Sequence, residues 1–96
     1  MDQQFINNCV SLVKVDLGIT TTAYDTRLEQ IVEAAIQAIT EEGISLSSDA
    51  IDLQLCVMYS AWLWNKRRNG EGMPRMLRYQ LNNRLFGQKM RGGTDG

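Results

Sequence analysis

The 96-residue chain has no histidine, a single proline, two cysteines and only seven aromatic side chains. Without histidine no Ser–His or Cys–His nucleophile pair can form, and the commonest metal ligand is missing. Cys9 and Cys56 lie far apart in sequence, make no Cys-x-x-Cys pair and cannot constitute a zinc site by themselves. Each falls at a helix-compatible position among apolar residues, which reads as a reduced, buried thiol of a cytosolic-type protein. The lone proline and the scarcity of β-branched clusters favour helices over strands. No strand precedes any glycine, so neither a phosphate-cradling loop nor a dinucleotide fingerprint is present. Glu41 and Glu42 are adjacent on a helix and splay apart, which suits a solvated last turn better than paired carboxylates. Enzymatic activity, a cofactor and a metal are therefore not expected. A secretory leader is not expected either, because Asp2, Asn7, Asn8, Lys14 and Asp16 interrupt what would have to be its apolar core. The protein is expected to be made in, and to act from, a cytoplasm.

What the chain does contain is one greasy stretch, Ala50–Lys66, apolar on nearly every side between Leu53 and Trp64. Ile51, Leu55, Met58 and Trp62 rise along one side of a helix, and Leu53, Val57, Ala61 and Trp64 along another. A helix of this kind must be enclosed by other elements. Asp52, Gln54 and Ser60 interrupt it, and its uncharged run falls short of the roughly 20 residues that cross a bilayer, so no membrane contact is expected. The spacing predicts an all-α fold: a small single domain of about four helices around a central helix at about 49–68, with Leu55, Met58 and Trp62 in the core. Trp62 and Trp64 read as core and shoulder packing, with one of them available to a partner.

The remaining elements follow from periodicity and caps. Phe5, Ile6, Cys9, Val10, Leu12, Val13 and Leu17 predict a first helix over about 3–17, stopped by Gly18. Thr22 with Asp25 resembles a capping box opening a second helix, whose inner positions are Leu28, Ile31, Val32, Ala35, Ile36 and Ile39. Its outer face carries Glu29, Glu33, Gln37 and Thr40, and Gly43 ends it. Ile44 and Leu46 are expected to tuck onto the core, while Ser47, Ser48 and Asp49 are alternative N-caps for the central helix. Lys66, Arg67 and Arg68 suit the negative end of its dipole. Residues 1–69 thus form the bundle core. Gly70-Glu71-Gly72 reads as a hinge, and Pro74 opens a basic fourth helix within 70–91 of the same domain. A flexible tail is expected at 92–96.

The formal net charge of −1 conceals a split. Residues 1–64 carry −7 and residues 65–96 carry +6. A molecule acidic at one end and basic at the other can stack head-to-tail with copies of itself or dock on an acidic surface. The fourth helix has a narrow ridge of Leu77, Leu81 and Leu85, while Arg75, Arg78, Asn82 and Lys89 share another side with Tyr79 and Phe86. Arg84 points roughly opposite. The strip admits two functional readings besides a solvated face. One is nucleic-acid binding, as a small DNA-binding or regulatory module, but the chain is acidic overall and lacks a helix-turn-helix spacing. The other, favoured here, is docking on a partner protein through Arg75, Arg78, Tyr79, Asn82, Arg84 and Phe86.

Several runs add a resemblance to this reading. They are Leu12-Val13-Lys14-Val15-Asp16-Leu17-Gly18-Ile19, Tyr24-Asp25 with Leu28 and Ile31-Val32-Glu33-Ala34-Ala35, and Val57-Met58-Tyr59-Ser60-Ala61-Trp62-Leu63-Trp64-Asn65-Lys66-Arg67. Gly72-Met73-Pro74-Arg75-Met76-Leu77-Arg78-Tyr79 and Leu81-Asn82-Asn83-Arg84-Leu85-Phe86 complete the set. In this order and spacing the chain resembles the tailed-phage head–tail connector family of adaptor, head-completion or DNA-packaging proteins, in the form found in prophages of Gram-positive bacteria. The resemblance implies an all-helical virion subunit, assembled in the host cytoplasm into a ring, usually twelve-fold, beneath the portal protein. The ring would continue the DNA channel and hand on to a stopper or tail-completion protein. DNA would pass without specific binding. The family brings no catalytic residues, and the short glycine-rich end after Phe86 departs from relatives that carry a longer C-terminal arm. Within such a ring, an acidic wall lets a duplex slide, which makes Glu29 and Glu33 the expected channel face. Arg75, Arg78, Tyr79, Arg84 and Phe86 are the expected anchors on the portal or on the neighbouring subunit.

Overall fold

Left-handed glycines and aspartate caps punctuate the chain, and the helices fall between them. The computed structural model describes the backbone of residues 1–95 and the side chains of residues 1–91. It contains four helices, α1 (Gln3–Leu17), α2 (Asp25–Glu41), α3 (Ala50–Asn69) and α4 (Arg75–Asp95), and no strand among the described residues. The protein is a small all-α bundle.

Asp2 caps α1 by accepting the Phe5 N–H at 2.8 Å, and Gly18 closes it at φ 71°, a conformation that favours glycine. Asp49 proves to be the cap of α3, accepting the Asp52 N–H at 2.9 Å, and Gly70 ends α3 in the same way at φ 68°. The capping box expected at Thr22 does not form. Helix α2 begins at Asp25 behind Tyr24, with no side-chain cap. The Asp25 carboxylate is turned instead toward Lys14 of α1, at 2.7 Å, an ion pair that joins the ends of two helices.

Helix α3 packs against each of the other three helices. Phe5, Ile6, Cys9 and Val13 from α1, and Leu28, Val32, Ala35 and Ile39 from α2, close around Leu55, Cys56, Val57 and Tyr59. Ile44 tucks in as expected, 1% exposed, with Leu46 half-buried beside it. From α4, Leu77 and Leu81 enter the core, and Leu85 packs against it from a half-buried position. Of the expected core residues Leu55 is buried, whereas Met58 and Trp62 are half-buried on the side of α3 that meets α4. Ile51, aligned with them by periodicity, is 71% exposed at the first turn of α3, beyond the reach of the bundle.

The 70–74 link is tethered rather than free. Trp62 Nε1–H donates to the Glu71 and Gly72 carbonyls, at 3.3 and 3.0 Å, and the Lys66 ammonium sits 5.0 Å from the Trp62 ring centroid. Tyr59 meets the edge of Trp62, and Trp64 meets Tyr24 at a ring separation of 5.6 Å. Both tryptophans are thus shoulders of the fold. Helix α4 continues past Gly87 and runs through Asp95. The tail expected at 92–96 is thus helical as far as the backbone is described, and Gly96 lies outside the described residues.

Candidate interaction surface on the fourth helix

The side of α4 that faces the bundle is polar at its centre. Arg84 places Nε 2.7 Å from Asp52 Oδ1 and Nη2 3.1 Å from Asp52 Oδ2, a bidentate pair. Asp52, a first-turn residue of α3, is fully buried. Its Oδ2 also accepts the Ser47 N–H and hydroxyl, at 2.7 and 3.0 Å. Burial drives the Asp52 carboxyl up, but the hydrogen bonds from Arg84 and Ser47 outweigh it and hold the group below its ordinary range. Arg84 Nη2 donates further to the Ser45 carbonyl at 2.7 Å. Gln88, one turn on, accepts from Ser45 N–H at 2.7 Å and donates to the Gly43 carbonyl at 2.8 Å. Together these contacts clasp α4 onto the connection between α2 and α3. Nearer the start of α4, Arg78 forms a second bidentate pair with Glu42, at 2.7 and 3.0 Å.

Two of the six expected docking residues are therefore already engaged within the molecule. Arg84 keeps only 14% of its side-chain exposure and is a clasp residue, not a partner anchor. Arg78 remains 44% exposed but is held by Glu42. The other four, Arg75, Tyr79, Asn82 and Phe86, are exposed as expected. The structure adds Met76 and Met90, which sequence reasoning passed over. Met76, Tyr79, Phe86 and Met90 show 61%, 62%, 65% and 62% of their surface. Four large apolar side chains along one outer helix face make a patch that a monomer rarely leaves bare. Arg75 and Lys89, beside this patch, have no ion-pair partner among the described residues.

The expected channel residues are unequal. Glu33 is exposed, while Glu29 is half-buried and accepts a hydrogen bond from Gln3 at 3.2 Å. Between α3 and α4 runs a groove of about 480 Å³, floored by Ile51, Leu55 and Met58 and walled by Gln80, Asn83 and Arg84. Its floor is apolar, and Arg84 is the one titratable group in its lining. Among the described residues no cluster of three or more Cys, Asp or Glu could hold a metal ion. No helix there is long and apolar enough to cross a membrane. The two thiols are interior: burial pushes Cys9 up to about 11 and Cys56 up to about 12.

Comparison of the chain with protein-family models, with curated proteins and with solved structures gave no match.

Proposed function

We propose that this protein is a structural assembly subunit that binds partner proteins through the outer face of α4, and that it serves as a head–tail connector of a tailed phage. The observation that carries the docking reading is the exposure of Met76, Tyr79, Phe86 and Met90 on one helix face, flanked by Arg75 and Lys89, which have no ion-pair partner among the described residues. Apolar anchors with a charged rim are the usual composition of a protein interface. The finer assignment rests on the family resemblance in the Gly72–Tyr79 and Val57–Arg67 runs. On that reading copies assemble as a ring beneath the portal, twelve-fold in the virion, and a stopper or tail-completion protein follows.

The opposite charges of the two halves suit a heterologous contact that closes on itself. The acidic outer face of α2, with Glu33 at its centre, suits a channel wall that does not grip passing DNA. The nucleic-acid reading loses support from the clasp, because Arg78 and Arg84 already have carboxylate partners.

Co-expression with a tailed-phage portal protein from the same genome tests the reading. The chain should co-sediment with portal rings, and Phe86→Glu should abolish the association while leaving the helical content unchanged. A wild-type chain that fails to bind the portal and is absent from purified particles would overturn the connector assignment.

A further inference from the structure

The exposed face of α4 has a finer order than exposure alone reveals. Met76, Tyr79, Asn83, Phe86 and Met90 follow one another at intervals of three, four, three and four residues. That is the a/d spacing of a coiled-coil seam, sustained over two heptads and about 21 Å of helix. At 100° per residue the stripe lies about 150° from Leu77, Leu81, Arg84 and Gln88, the residues that hold α4 on the bundle. Whatever covers it therefore meets chiefly α4, with α3 at its edges where Asn83 and Met76 border grooves shared with Ile51 and Met58.

We propose that this stripe pairs with the same stripe of a second copy, in parallel and in register about a two-fold axis. Three observations select that occupant. Asn83 is the one amide in the seam and sits at its central a position. A second copy in register brings Asn83 opposite Asn83, where each amide can donate to and accept from the other, the arrangement that fixes register in two-stranded coiled coils. The cations are confined to one flank: Arg75, Asn82 and Lys89 occupy the g positions, while Gln80 and Gly87 occupy the e positions. Parallel pairing sets each g flank against the partner's uncharged e flank, whereas antiparallel pairing would set Arg75 against Lys89. The offset of about 150° between stripe and core side leaves most of each bundle behind its own α4.

The area is modest. Four side chains at 61–65% exposure cover roughly 500 Å² per copy, about 1,000 Å² in all, which is the lower limit of a specific contact. Ile51, 71% exposed at the edge of the adjoining groove, extends the apolar area on the e side. The pair is therefore weak and reversible, and it covers the surface assigned above to partner docking. Self-pairing shields that surface in the free protein, and a partner displaces it. The proposal does not depend on who the partner is.

Single-cysteine cross-linking in the full chain tests it, since the native thiols are buried and the wild type serves as the blank. In a parallel two-fold pair, Phe86→Cys and Met76→Cys each lie against their own copy. At about 100 μM protein, mild oxidation should link each to itself about tenfold faster than it links Thr40→Cys on the outer face of α2. Sedimentation should show a reversible dimer that Phe86→Glu shifts to monomer by at least tenfold, with raised salt leaving the pairing intact or tighter. Linking of Met76→Cys only to Met90→Cys, linking no faster than the Thr40→Cys control, or a dimer unaffected by Phe86→Glu would each overturn the proposal. Portal binding that persists in any of these cases would leave the connector reading standing, so the two can fail separately.

Discussion

Arg84 of α4 and Asp52 of α3, 32 residues apart, form a two-bonded ion pair in which the carboxylate is 1% and the guanidinium 14% exposed. A charge so enclosed is stable only while its partner is present. Since Ser47 holds the same carboxylate and Ser45 the same guanidinium, the pair links α4, α3 and the loop before α3 at one point.

Removing one member of this pair should be costly. Arg84→Met leaves Asp52 buried with only the Ser47 donors, and an orphaned buried charge costs about 3–5 kcal/mol. Chemical denaturation of Arg84→Met and Asp52→Asn, and of the double variant, measures it. The double variant is expected to be less destabilised than the sum of the singles, giving a coupling of at least about 1 kcal/mol. Additive losses would show that the contact contributes little beyond packing.

The same pair sets an acid limit. The folded Asp52 carboxyl lies below its ordinary value, so the unfolded state takes up the proton first as pH falls. Stability from this group is fully present above about pH 4 and declines as pH drops toward the folded value. Urea midpoints followed from pH 6 to pH 2.5 should fall in this window. The fall should be shallower in Asp52→Asn, which has no carboxyl to protonate at this position.

At the alkaline end the thiols act in the opposite sense. Cys9 and Cys56 keep their protons to about 11 and about 12 when folded, but titrate near 8.5 when unfolded. Between those limits the unfolded state loses protons that the folded state retains, so stability should decline above about pH 9. A disulfide exchange reagent at pH 8 should modify neither thiol in the native protein and both in denaturant. Rapid native modification would contradict the burial of both side chains.

The tether from Trp62 to the 70–74 link predicts a local effect. Trp62→Phe keeps an aromatic ring against Tyr59 but leaves the Glu71 and Gly72 carbonyls without their donor. The global loss should be about 1 kcal/mol. Tryptic cleavage at Arg67, Arg68 and Arg75, which flank the link, should quicken several-fold, because opening of the segment no longer breaks a hydrogen bond. Unchanged cleavage would mean that the link is held by Pro74 and the leucines of α4 alone.

Much of the site could be read from residue order, and the part that could not has a physical cause. Tyr79, Phe86, Arg75 and Asn82 stand outside because they fall off the Leu77–Leu81–Leu85 ridge, and a period of 3.6 residues places them there without knowledge of any neighbour. Arg78 falls between the two, about 60° from the middle of the ridge, and its guanidinium reaches to Glu42. Period gives the direction of a Cα–Cβ bond, whereas a long side chain can bend toward whatever charge lies within reach. Asp52 shows the converse. In sequence it is a polar break in an apolar helix, and only the approach of α4 makes it a fully buried charge.

The helices, the ends of α1 and α3 and the identity of the central one belong to the sequence, because they arise from interactions within a turn or two: aspartate caps at Asp2 and Asp49, left-handed Gly18 and Gly70, and apolar residues at helical intervals. The tertiary structure alone decided which arginines are available and where Asp25 turns. Those outcomes depend on how two helices cross and on what residues distant in the chain bring within 3 Å. No local period encodes that distance.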